Sequence, residues 1–91
     1  MISKEQKYKR KKEEKLIWVD VVLFYRTINK QNKTVPQLAR NLGIGVSTLY
    51  RKINSETCFQ LDEIRLLKQE LELTEEEAYR IFIAGYLQQG A

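Results

Sequence analysis

Apolar residues recur along this chain at helical intervals. Ile17, Val21, Phe24 and Ile28 follow one another at four, three and four residues, and Trp18, Val22 and Tyr25 widen the stripe. That period predicts a first core helix over residues 14–29. The β-branched Val19, Val21 and Val22 would also suit a strand, but the stripe is longer than an ordinary strand and keeps helical period. A polar connector follows at 29–33, with Lys30 and Lys33 where a helix C-terminus favours cations. Farther on, Leu61, Ile64, Leu67 and Leu71 repeat at three, three and four and predict another helix. Leu66 lies off that stripe, and Leu73 closes the element. Thr74 and Glu77 then form a capping box for a last helix, whose inner face is Ala78, Ile81 and Phe82. Glu75, Glu76 and Glu77 suit the positive end of its dipole. Residues 54–58 are a polar loop anchored at its end by Phe59.

The most informative stretch is TVPQLARNLGIGVSTLYRKIN, residues 34–54. Thr34 is a favourable N-cap, Gln37 completes a capping box, and Pro36 falls in the first turn, where its missing N–H costs nothing. Leu38 and Leu42 share one face of the resulting helix. Gly43 suits a left-handed C-terminal residue, and Ile44 plugs the turn. A second helix over 46–54 carries Leu49 and Ile53 inward at i, i+4. Ala39 supplies the small contact that two helices need when they cross over so short a turn. The outward face of the second helix holds Val46, Ser47, Tyr50 and Arg51: a branched aliphatic, a hydroxyl, an aromatic and a guanidinium. Such groups can read base edges in a major groove.

The segment LARNLGIGVSTLYRKIN resembles the helix-turn-helix of the Cro/C1-type repressors, and most of all the small Cro-like regulators of temperate phages. The resemblance covers residues 16–84, although its specific part is this segment alone. It implies an all-α, five-helix lambda-repressor-like DNA-binding domain and a role in a phage or mobile-element switch. Two positions depart from the family pattern. The second residue of the recognition helix is often glutamine in the family and is Val46 here. The family also buries the position of Lys52, whereas the apolar pattern here points to Ile53, which suggests a slightly rotated helix.

Charge adds direction to this picture. The net charge is +4 over 91 residues, but residues 1–33 hold ten Lys/Arg against four Asp/Glu. Residues 34–58 hold three against one, and residues 59–91 three against seven. A basic half and an acidic half suit an anionic partner at one end. The chain divides into a basic N-terminal arm or helix extension at 1–15, a helix-turn-helix domain at 16–84 and a tail at 85–91. The arm, SKEQKYKRKKEEK over 3–15, holds no large aliphatic residue. It is either a solvated extension of the next helix or an arm laid along DNA phosphates.

Composition excludes several classes. A hydrophobic share of 43% and a charged share of 31% are those of a globular chain. No apolar run approaches a membrane span, and no secretory signal is visible. The single Cys58 excludes an internal disulfide and fits a reducing compartment, so a cytoplasmic, nucleoid-associated protein of bacterial or phage origin is expected. Histidine is absent, which removes His-based acid–base catalysis and most zinc motifs. No phosphate-binding glycine loop or nucleophile elbow occurs, and no enzyme, cofactor, metal or small-molecule ligand is expected.

The expected function is sequence-specific recognition of double-stranded operator DNA by a transcriptional regulator, a repressor in the first instance. Val46, Ser47, Tyr50 and Arg51 are the candidate base contacts, with Arg51 suited to guanine O6/N7. Thr34 and Gln37, at a helix start, and Lys33, Arg40 and Lys52 are the candidate phosphate contacts; each lysine has a solvated charge as its alternative. Tyr79, Ile83, Tyr86 and Leu87 are apolar beyond what one helical stripe uses. They either form a two-fold homodimer contact or fold back on the domain's own core. Gly85 and Gly90 are expected to loosen the end. The competing readings are a protein-interaction module on the same fold, and an antitoxin whose extra partner-binding segment would have to be 1–15 or 85–91.

Overall fold

The computed structural model describes residues 17–89. Six α-helices and no strand occur among them: α1 Val21–Lys30, α2 Val35–Leu42, α3 Val46–Ile53, α4 Leu61–Glu70, α5 Glu75–Phe82 and α6 Ala84–Gln89. The N-terminal arm, including the proposed helix start at 14–16, lies outside the described residues. No helix among them is long and apolar enough to cross a membrane.

The first helix begins later than the stripe predicted. Asp20 caps α1, its side chain accepting from the Leu23 backbone N–H at 3.0 Å. Residues 17–20 instead run as a non-helical strap. Trp18 and Val19 donate their backbone N–H groups to Ser55 Oγ at 3.1 and 3.2 Å, and Asp20 donates to the Ile81 carbonyl at 2.9 Å. Non-local partners thus take the backbone groups that a longer helix would have used. Ile17 on the strap is exposed while Val19 is buried, and Val22, within α1 but off its buried face, is exposed as well.

The core gathers Val19, Phe24, Ile28, Leu38, Ala39, Leu49, Ile53, Leu67, Leu71, Ile81 and Phe82 from the strap and α1–α5. Helix α2 packs against α3 and α4, α4 against α5, α1 against α5, and α5 against α6. An edge-to-face chain of aromatics runs through it, Tyr25 to Phe24 at 5.8 Å, Phe24 to Phe82 at 6.0 Å and Phe82 to Phe59 at 5.0 Å between centroids. Leu61, placed by its spacing on the α4 stripe, is 80% exposed. It is the first residue of its helix, with no preceding turn to carry it against the core.

Four helices end in the same way. Asn32, Gly43, Ser55 and Glu72 all have positive φ, between 50° and 73°. After α2, Gly43 N–H donates to Arg40 O and Ile44 N–H to Ala39 O. The equivalent pairs are Asn32 to Asn29 with Lys33 to Ile28, Ser55 to Lys52 with Glu56 to Arg51, and Glu72 to Gln69 with Leu73 to Lys68. Each is a Schellman closure, which satisfies two terminal carbonyls and reverses the chain sharply. Only one of the four uses glycine.

The tail is structured as far as Gln89, giving a sixth helix where five were expected; Gly90 lies outside the described residues. Gly85, expected to loosen the end, lies within α6, and a Cβ there would collide with the Trp18 carbonyl oxygen. This glycine permits close approach between α6 and the strap.

Candidate functional site

Helix α3 is placed by the elements before it. At the start of α2, Thr34 Oγ1 accepts from Gln37 N–H at 3.3 Å and Gln37 Oε1 accepts from Thr34 N–H at 2.9 Å, the expected capping box. Gly43 has φ 73° with nothing within 4 Å of where a Cβ would stand, so the position favours glycine for its backbone freedom and not for its lack of bulk. Gly45, extended, caps α3. Ala39 is buried at the crossing, and Ile44 is half-buried in the turn.

The two faces of α3 then separate cleanly. Leu49, Lys52 and Ile53 are buried; Val46, Ser47, Tyr50 and Arg51 are exposed. The four candidate base-reading side chains therefore form one uncovered strip. Tyr25 of α1 borders it. Burial pushes the Tyr25 phenol above its ordinary pKa, with a smaller push from Tyr50. The aromatic stripe of α1 marks Tyr25 as core, and nothing in its local sequence signals that it lies near Tyr50.

Around the strip, Thr34, Gln37 and Arg40 are exposed. The capping box uses the Thr34 oxygen and the Gln37 carbonyl as acceptors. The hydroxyl proton and the amide NH2 remain as donors. Lys33 is half-buried, and its Nζ stands 3.8 Å from Glu70 Oε1, which also accepts from Asn41 Nδ2 at 2.6 Å. A pair this open to solvent is weak and exchangeable.

Lys52 does not belong with these phosphate candidates. It is 7% exposed. Its Nζ lies 3.1 Å from Glu63 Oε1, donates to the Cys58 carbonyl at 2.9 Å and stands 6.0 Å from the Phe59 ring centroid. Both Lys52 and Ile53 are buried, so the expectation that Ile53 is buried in place of Lys52 is corrected, and the ground for a rotated helix goes with it. The partners that draw the amine inward lie six and eleven residues away, beyond anything helical spacing reports.

The residues proposed for a dimer contact are divided. Tyr79, Tyr86 and Leu87 are exposed, and Ile83 is half-buried. Tyr86 meets Trp18 edge-on at 5.7 Å and is still 52% exposed. Ile83, Tyr86 and Leu87 join Trp18, Phe59 and Leu61 in lining an apolar groove of about 370 Å³, and Tyr79 is not among its lining residues. Among the described residues, no group of three His, Cys, Asp or Glu side chains is placed to hold a metal.

The chain matches no protein-family model, no curated protein and no solved structure.

Proposed function

We propose that this protein is a sequence-specific double-stranded DNA-binding regulator with a Cro/C1-type, lambda-repressor-like helix-turn-helix, reading the major groove with α3. The observation that carries the reading is the strip Val46, Ser47, Tyr50 and Arg51, uncovered along a helix whose opposite face is fully engaged. A helix held this way meets the main physical requirement for direct readout: a rigid rod with donors and apolar groups free on one side. Arg51 suits a guanine, Val46 a thymine methyl, and Ser47 and Tyr50 bases or adjacent phosphates. Arg40, Thr34, Gln37 and an exchangeable Lys33 flank them as phosphate ligands. The excess of positive charge in residues 1–58 favours the same partner.

One such module buries only about 600–1,000 Å² on DNA. Pairing of two copies on a two-fold operator, through the apolar surface of α5 and α6, doubles the contacts and sets half-sites about one helical turn apart. Occupation of a promoter then represses it. Selection of bound fragments from random DNA, followed by titration against salt, tests the reading. A recurrent palindromic site and a log–log salt slope of about −5 or steeper are expected. Absence of any selected sequence defeats it.

A second reading, a protein-interaction module or antitoxin, draws on the groove beside Trp18, Phe59 and Leu61. It predicts no sequence selection in the same experiment and a protein partner that protects Leu61 and Tyr86.

A further inference from the structure

We propose that the buried Lys52–Glu63 pair is a register pin: it fixes the rotation of α3 about its own axis, and so selects which base edges Tyr50 and Arg51 meet. This rests on the DNA-reading function proposed above.

The pair is an odd choice for holding a helix in place. Its side chains are only 9% and 11% exposed, and removing two charges from water is costly. Apolar residues already anchor the same face, with Leu49 and Ile53 fully buried. Apolar contact is non-directional, however, and tolerates rotation and sliding. The charged node is directional. Lys52 Nζ reaches both Glu63 Oε1 and the Cys58 carbonyl, and Glu63 Oε1 also accepts from the Gln60 backbone N–H at 2.7 Å. One amine and one carboxylate oxygen thereby tie α3 to the 54–60 loop and to the first turn of α4. Setting register is the best-attested use of a buried polar pair that apolar residues could replace without loss of stability.

The consequence reaches the strip because successive helical residues are about 100° apart. Arg51 and Lys52 are neighbours in sequence, one exposed and one pinned. At a side-chain radius of about 5–6 Å, a rotation of about 10° moves a contact group by roughly 1 Å. That displacement is enough to spoil a bidentate hydrogen bond, which needs placement within about 0.5 Å. Lys52 and Glu63 are therefore positioning residues that touch no DNA themselves.

The test compares the full chain with the double variant Lys52→Met/Glu63→Gln, in which the substituted amide keeps an oxygen for the Gln60 N–H. Binding is measured on the site selected by the wild type and on an unrelated duplex of equal length. With folding verified by circular dichroism, the double variant should bind the unrelated duplex within about threefold of the wild type, while its preference for the selected site falls about tenfold. Glu63→Gln alone, which leaves an acceptor for both donors, should lose about threefold of the preference. An unchanged preference in either folded variant overturns the pin. A wild type without any preference overturns the DNA-reading function instead, so the two failures are distinct.

Discussion

Ser55 Oγ accepts a hydrogen bond from the Val19 backbone N–H at 3.2 Å, across 36 residues of sequence. The same oxygen takes the Trp18 N–H at 3.1 Å. One hydroxyl therefore joins the strap before α1 to the residue that closes α3. Ser55 holds this position at φ 62°, in the left-handed region. Ser55→Ala keeps the strained backbone and strands a buried donor, and should destabilise by about 1–3 kcal/mol. Ser55→Gly relieves the backbone but loses the same acceptor, so it should fall between alanine and wild type. Chemical denaturation of the three proteins gives the order; a glycine variant more stable than wild type would show that the two bonds matter less than the strain.

The other non-glycine closures should respond with the opposite sign. Glu72 and Asn32 sit at φ 50° and 56° and are exposed, with no side-chain hydrogen bond to lose among the described residues. Glu72→Gly should stabilise by about 0.5–1 kcal/mol, and Asn32→Gly by less, because asparagine tolerates this region better. Gly43→Ala, where only conformation opposes the change, should cost about 1–2 kcal/mol. Thermal melts of the three single variants suffice.

Arg51 and Arg40 are both exposed and should behave differently on DNA. Arg51→Ala should lower affinity for the selected site by about 1–3 kcal/mol and flatten preference at one base pair. Arg40→Ala should weaken all sequences alike and reduce the salt slope by about 1. Equal effects of Arg51→Ala on selected and unrelated duplexes would remove Arg51 from the proposed base contacts.

Glu77 gives the fold a pH dependence whose sign follows from the hydrogen bond its carboxylate accepts. The hydrogen bond from the Thr74 backbone N–H at 2.9 Å holds its carboxyl below the ordinary value against a smaller opposing effect of burial, with lesser help from the Thr74 side chain and from Lys30. A carboxyl whose folded pKa is depressed takes up its proton more readily in the unfolded chain. Its stabilising effect is therefore complete above the unfolded value and is lost as the pH falls through the folded one. Stability of wild type and Glu77→Gln should differ at neutral pH and converge in acid. A difference that persists at low pH would assign the effect to packing.

Local chemistry made α2, α3 and α5 legible. Thr34 with Gln37, Thr74 with Glu77, and Gly43 each act within a few residues, and all three were readable from spacing. The elements that spacing does not locate depend on partners far along the chain. The stripe through Ile17 looked helical because periodicity cannot register that Ser55 and Ile81 claim the strap's N–H groups; Asp20, a favourable N-cap, was the one local sign of the true start. Lys52 looked like a surface cation because Glu63 and Cys58 come later. Gly85 carried two meanings, looseness and close approach, and only the position of Trp18 separates them. In the site, the exposed strip followed from the inward anchors Leu49 and Ile53, whereas its bordering Tyr25 required the tertiary arrangement.

Trp18 is the sole indole of the chain, and it stands where the strap, Tyr86 and the backbone of Gly85 meet. Its emission is thus a built-in optical gauge of that seam. Gly85→Ala should alter the fluorescence, because the added methyl collides with the Trp18 carbonyl. Arg51→Ala, on a different surface, should leave it unchanged, so one spectrum separates damage to the scaffold from damage to the proposed reading face.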